Sequence, residues 1–214
     1  MTASLQPRSL LLLAATATQV VADKYAVLVA GSSGFDNYRH QADIAHAYNI
    51  LTAGGVPPDN IITFMFDDIA DSRHNKLKGK LFNRAGDNVP DVYAAVKDHI
   101  DYRKFEVSPR NFLNVLTGNA GLGRKRVLTS GPDDDVFVYF ADHGGTGFLA
   151  FPEFLGLPAL LHADKLNEAL KTMHEKKMYK SLVFYVEACE VASDPCLSDF
   201  ELLHSCTFTT KYPH

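Results

Sequence analysis

The chain has 214 residues, of which 46% are hydrophobic, and a formal net charge of −4. That length holds one sizeable α/β core and is short for two domains. The mild acidity and the lack of a basic stripe interleaved with aromatics exclude nucleic acid as an expected partner.

The opening stretch MTASLQPRSLLLLAATATQVVADKY starts with one arginine and runs apolar and small from Ser9 to Val21. Residues 1–22 are therefore predicted to be a signal peptide cut near Ala22. The apolar run is shorter than the ~20 residues a bilayer span needs, so no membrane span is expected here or later. A secretory route permits disulfides, yet the chain has only Cys189, Cys196 and Cys206. If Cys196 pairs with Cys206, Cys189 is left as a free thiol; other pairings remain open.

Tyr25–Ala30 (YAVLVA) is a continuous apolar run, as in a strand buried on both faces. Gly31-Ser32-Ser33-Gly34 turns the chain. From Gln41 onward, Ile44, Ala47, Tyr48 and Leu51 fall at helical spacing, and Gly54-Gly55 closes that helix. Ile61–Phe66 (IITFMF) is a second buried strand, so the chain opens β-α-β and predicts a parallel sheet. Asp67–Asn88 is polar and turn-rich and reads as a long working loop. Ser108-Pro109 starts a helix whose apolar face carries Phe112, Val115 and Leu116. Val136–Ala141 (VFVYFA) is a third strand, Asp164–Met178 a helix, and Leu182–Val186 (LVFYV) a fourth strand. The acidic clusters Asp67-Asp68 and Asp133-Asp134-Asp135 lack the alternating ligands of a calcium loop and read as caps and turns. The run Gly123-Arg124-Lys125-Arg126 reads as a solvated loop.

In open parallel sheets, sites form beyond the carboxyl ends of the strands. The first strand is followed by GSSGFDNYRH, the third by Asp142-His143-Gly144-Gly145 and the fourth by Glu187-Ala188-Cys189. Parallel strands would bring His143, Cys189 and the Arg39-His40 pair to one edge. A thiolate attacks carbonyl carbon while a histidine takes and returns the proton. Gly144 would let backbone and substrate approach closely beside the developing oxyanion. Taken singly, each residue has a plainer reading: a cysteine at a strand end is often a core filler, and His-Gly often a turn.

The ordered blocks VLVAGSSGFDNYRHQAD (27–43), FDDIA (66–70), DVYAAV (91–96), VSPRNFLNVLTG (107–118), VLTSGPDDDVFVYFADHGGTG (127–147) and KKMYKSLVFYVEACE (176–190) closely resemble the legumain family of asparaginyl endopeptidases. The resemblance covers roughly Lys24 to Glu190. It implies a caspase-like three-layer α/β sandwich with a mostly parallel sheet, and a cysteine endopeptidase that hydrolyses peptide bonds after Asn, with possible ligation of peptides. By matching motif, His143 is the implied base, Cys189 the nucleophile and Asn37 the support of the histidine. Arg39, His40 and Glu187 match positions that read the substrate Asn side chain, and Asp142 matches an aspartate that forms a succinimide in some members. The implied partners are proteins or peptides with exposed Asn, and cystatin-type inhibitors. The implied location is the secretory pathway, in a lysosome or vacuole or outside the cell. No metal or other cofactor is called for.

The family pattern continues after the cysteine as Glu-Ser-Gly-Ser, whereas this chain reads Glu190-Val191-Ala192-Ser193. The peptidase domain (23–190) is therefore expected to be incomplete, with C-terminal strands missing and 191–214 a divergent tail. Two alternatives stand beside the protease. One is a catalytic subunit like that of GPI transamidase, favoured by NFLNVLTG and HGGTGFL. The other is an inactive homologue that keeps the motifs without a working site.

Overall fold

The computed structural model describes residues 22–121, 125–189 and 206–210. The predicted signal peptide, save Ala22, the possible Cys196–Cys206 pairing and most of the tail lie outside these residues.

Among the described residues, six strands form one parallel sheet: β1 (Lys24–Ala30), β2 (Ile61–Met65), β3 (Tyr102–Arg103), β4 (Asp135–Ala141), β8 (Ser181–Glu187) and β9 (Cys206–Thr210). Their spatial order is β3-β2-β1-β4-β8-β9. The chain builds outward from β1 in one direction, then returns to lay β4 on its other side and builds the opposite way. The point of reversal lies between β1 and β4.

The apolar runs form strands because both sheet faces are covered. On one face Val27, Val29, Val138, Phe140, Phe184 and Val186 meet α3 (Pro109–Leu116) and α4 (Ala163–Glu175) in one buried cluster. On the other, Ala26, Leu28 and Ala30 pack with Ile44, Ala45 and Tyr48 of α1 (Tyr38–Ala53) and with Val96 of α2 (Tyr93–Val96). This is a mixed α/β sandwich with a mostly parallel central sheet, as expected. Phe112 is the hub of the first cluster, its ring 6.0–6.2 Å from those of Phe64, Phe140, Phe151 and Phe184. Ser108 caps α3 with a side-chain bond to the Asn111 N–H, and Pro109 follows at the first helical position, as the sequence indicated.

Several elements differ from the sequence reading. Helix α1 begins at Tyr38 rather than Gln41, behind a 3-10 turn at Phe35–Asn37, so Arg39 and His40 stand in its first turn. Helix α4 stops at Glu175 rather than Met178 because Lys177 adopts φ 52°. The Met178 N–H then bonds back to the Met173 carbonyl at 3.0 Å, a helix-ending reversal made without glycine. A small antiparallel sheet was not foreseen: β5 (Gly144–Gly145), β6 (Phe148–Phe154) and β7 (Leu157–His162). Its signal is weak because FLAFPEFLGLPALLH has no clean alternation and carries two prolines. Leu155 and Gly156 both have positive φ at its tip, and Leu155 takes a slot that Asn or Gly usually fills. β9 falls in the stretch read as a divergent tail and pairs parallel with β8, Leu182 opposite Cys206 through Val186 opposite Thr210.

Candidate active site

Strand register sets the site. Ala30, Ala141 and Glu187 are mutual partners at the carboxyl ends of β1, β4 and β8. The ladder runs one step further on both sides: the Gly31 N–H bonds the Ala141 carbonyl at 3.1 Å and the Asp142 N–H the Glu187 carbonyl at 3.0 Å. The three segments that follow the strands therefore leave side by side at the sheet's point of reversal, where open α/β sheets bind ligands.

A cavity of about 170 Å³ opens there. Arg39, His40 and Asp43 of α1 form one wall, Asp142 and His143 the second, and Glu187, Ala188 and Cys189 the third. Seven of the eight residues singled out in the sequence are brought together in the cavity or directly beside it: Arg39, His40, Asp142, His143, Glu187, Cys189 and Asn37. The eighth, Gly144, opens β5. A Cβ there would lie 3.0 Å from that of Ala188 and 3.1 Å from the Cys189 carbonyl, so the His143 and Cys189 segments pack closely only with glycine at this position.

Asn37 orients His143. Its amide nitrogen donates to the Ser33 carbonyl at 3.0 Å, which turns its Oδ1 towards His143 Nε2 at 2.9 Å. An amide oxygen only accepts, so Nε2 carries the hydrogen and Nδ1 presents the lone pair. Asn37 stands at the N-cap of α1 yet makes no side-chain cap bond. Its amide serves the histidine instead. The His143 carbonyl is held from the other side by the Ala150 N–H of β6 at 3.0 Å. The imidazole and Cys189 are both exposed to the cavity mouth, and Cys189 is a free thiol.

A buried polar layer lies beneath. His40 Nδ1 is 2.7 Å from Ser32 Oγ and 3.3 Å from Asp142 Oδ1, and its ring meets that of His143 edge to face at 5.2 Å. Gly31 makes room for Asp142: a Cβ there would stand 2.7 Å from Asp142 Oδ2. Asp68 holds the turn above, accepting from the Gly34 N–H and from Gln41 Nε2. Asp134 accepts from the Asp23 and Gly131 N–H groups. These acidic residues are turn anchors, in keeping with the sequence reading.

On the third wall the Tyr139 hydroxyl donates to Glu187 Oε2. Burial, and then that carboxylate, push the Tyr139 phenol well above its ordinary range, so it stays a donor. Asp43 was not foreseen. It is one helical turn from Arg39, a spacing that was visible in YRHQAD, and its Oδ1 accepts from the Asn83 amide. Burial foremost raises its carboxyl above the usual range, with the Glu187 charge adding to the effect. Ser32 and Ser33 were also missed as the partners of His40 and Asn37. Serines in a turn carry no signal that separates this role from turn chemistry.

The peptidase C13 family matches residues 24–200. "Hemoglobinase" of Schistosoma japonicum is 51% identical over 170 residues, covering 79% of this chain and 38% of that protein. Human "Legumain" is 48% identical over 173 residues, with the same shares. "Vacuolar-processing enzyme delta-isozyme" of Arabidopsis thaliana is 48% identical over 173 residues, 79% of this chain and 35% of that protein. The chain thus spans well under half the length of these relatives.

Proposed function

The chain belongs to the peptidase C13 family, and on that premise we propose that it is a cysteine endopeptidase that cuts after asparagine. The observation that carries this reading is the cavity in which Cys189 and an oriented His143 stand beside Arg39, His40 and Glu187.

His143 Nδ1 takes the Cys189 proton, and the thiolate attacks the carbonyl carbon of the substrate Asn. A C–S bond forms, the carbonyl electrons move to oxygen, and backbone donors at Gly144 and Cys189 receive that oxyanion. The C–N bond then breaks as the imidazolium returns the proton to the departing amine. Water, activated by the same imidazole, hydrolyses the thioester. An incoming amine in place of water joins two peptides.

Asparagine is read by complementarity. A primary amide offers one acceptor and a two-hydrogen donor. The Arg39 guanidinium supplies the donor for its oxygen. Glu187, held by Tyr139 at Oε2, keeps Oε1 to accept from its nitrogen. A lysine side chain offers no acceptor and sets its own cation against the Arg39 guanidinium. Asp142, which precedes His143, is the candidate for succinimide closure onto the His143 nitrogen. Exposed Asn in proteins is the expected substrate. Cystatin-type inhibitors are the expected antagonists, and a secretory-route compartment such as the vacuole is the expected location.

Covalent labelling by a peptide electrophile with Asn at the reacting position tests this, read by intact mass against the Lys analogue and the Cys189→Ala variant. Selective labelling that depends on Cys189 is expected. Equal slow labelling by both probes would reject the reading in favour of a chain that carries the motifs without a working site.

A further inference from the structure

We propose that His40, Asp142 and His143 form a binding site for a divalent transition ion of the zinc type, and that the ion holds the thiol–imidazole pair off. The ligand atoms of these three residues all lie within 4.8 Å of one another. The independent observation is Asp142: it is 5% exposed, and its Oδ1 has no hydrogen-bond partner. An orphaned carboxylate oxygen at that depth costs folding energy unless a cation meets it.

The group nearest to it, His40 Nδ1, is shared with Ser32. That nitrogen stands 2.7 Å from Ser32 Oγ and 3.3 Å from Asp142 Oδ1. One nitrogen carries at most one hydrogen, and the nearer, better partner is the serine. With the ring hydrogen on Nε2 and the serine hydroxyl turned away, the Nδ1 lone pair and a lone pair of Asp142 Oδ1 are 3.3 Å apart. Two ligands each about 2.1 Å from a tetrahedral zinc stand about 3.4 Å apart. The third ligand is oriented too, because Asn37 holds the Nε2 hydrogen of His143 and leaves Nδ1 bare.

Two imidazoles and one carboxylate suit zinc and its neighbours, whereas calcium and magnesium want six or more oxygens. Cys189 lines the same cavity but stands outside the cluster of three ligand atoms, so the fourth position of the ion faces the open cavity. The ion would take the His143 lone pair that accepts the thiol proton. Inhibition follows from the proposed catalytic roles, whereas binding does not depend on them.

Zinc chloride is titrated calorimetrically into the metal-free full chain, with calcium chloride as comparator. One zinc per chain and no calcium are expected. Asp142→Asn and His40→Gln should each weaken zinc by at least about tenfold. Zinc should also block Cys189 labelling by the Asn electrophile, and a chelator should restore it. Absence of stoichiometric zinc, unchanged affinity in both variants, or loss of zinc on Cys196→Ser with Cys206→Ser would overturn the proposal. If either variant fails to fold, cobalt(II) added to the unaltered chain decides: strong visible absorption of a tetrahedral ion supports the site, and its absence rejects it. Zinc bound by a chain that never labels would uphold the site and reject the protease reading; labelling without zinc binding would do the reverse.

Discussion

Asn37 shows how a single residue links helix and chemistry. A helix-start position favours a side chain that caps the first turn, yet this one is held by Ser33 and faces His143. Asn37→Ala should therefore slow Cys189 labelling by about tenfold or more, because the imidazole loses its fixed tautomer. The melting temperature should fall only modestly, since the Ser33 and His143 bonds are lost but no cap bond is. A labelling rate equal to the unaltered chain would remove Asn37 from the machinery. Asp43 carries the second residue-scale expectation. Burial raises its folded carboxyl above the ordinary value it has in the unfolded chain, and Glu187 adds to this. The folded state thus holds the proton more tightly. The associated stability is present at acid pH below the unfolded value and is lost as pH rises through the raised folded value. Asp43→Asn cannot ionise, so its melting temperature should fall less between acid and neutral pH than that of the unaltered chain. A parallel decline in both proteins would contradict the assignment.

At the scale of elements, the site depends on how closely neighbouring strands leave the sheet. Gly31 continues β1 beside Asp142, and a methyl group there would meet Asp142 Oδ2 at 2.7 Å and the Ala150 carbonyl at 2.9 Å. The carbonyl belongs to β6, which also holds His143, so neither neighbour moves freely. Gly31→Ala should cost about 2 kcal/mol in urea denaturation and slow labelling as well. A cost below about 0.5 kcal/mol would show that the segment yields without strain. The β6–β7 hairpin emerges as a structural partner of the histidine segment, a role that its irregular sequence concealed.

At the scale of the whole molecule, the sheet divides the interior into two separate apolar layers. Ile44 lies in the α1 layer and Ile62 in the α3/α4 layer, both almost wholly buried. Ile44→Val and Ile62→Val should each cost about 1 kcal/mol. The double variant should match their sum within about 0.5 kcal/mol, because the two side chains share no packing partners. A coupling well above that, measured by denaturant unfolding of all four proteins, would mean that the layers communicate through the sheet.

The sequence by itself determined the main strands, their parallel arrangement and most of the cleft residues, Asp43 excepted. Buried parallel strands are written as unbroken apolar runs, and in such a sheet the residues that follow them must converge. Local chemistry marked the Ser108-Pro109 helix start for the same reason: cap and proline act within one turn. Tertiary structure alone decided what depends on residues distant in the chain. The Asn37–His143 bond spans 106 positions, and only the fold turns that amide oxygen towards the ring. The early start of α1, the stop of α4 at a left-handed lysine and the hairpin with a leucine at its tip all run against local preference. Packing supplied what local preference withheld, and no periodicity records it. The unpartnered oxygen of Asp142 belongs to the same class. Its burial follows from Gly31 on one strand and His40 on a helix, and neither is adjacent to it in the chain.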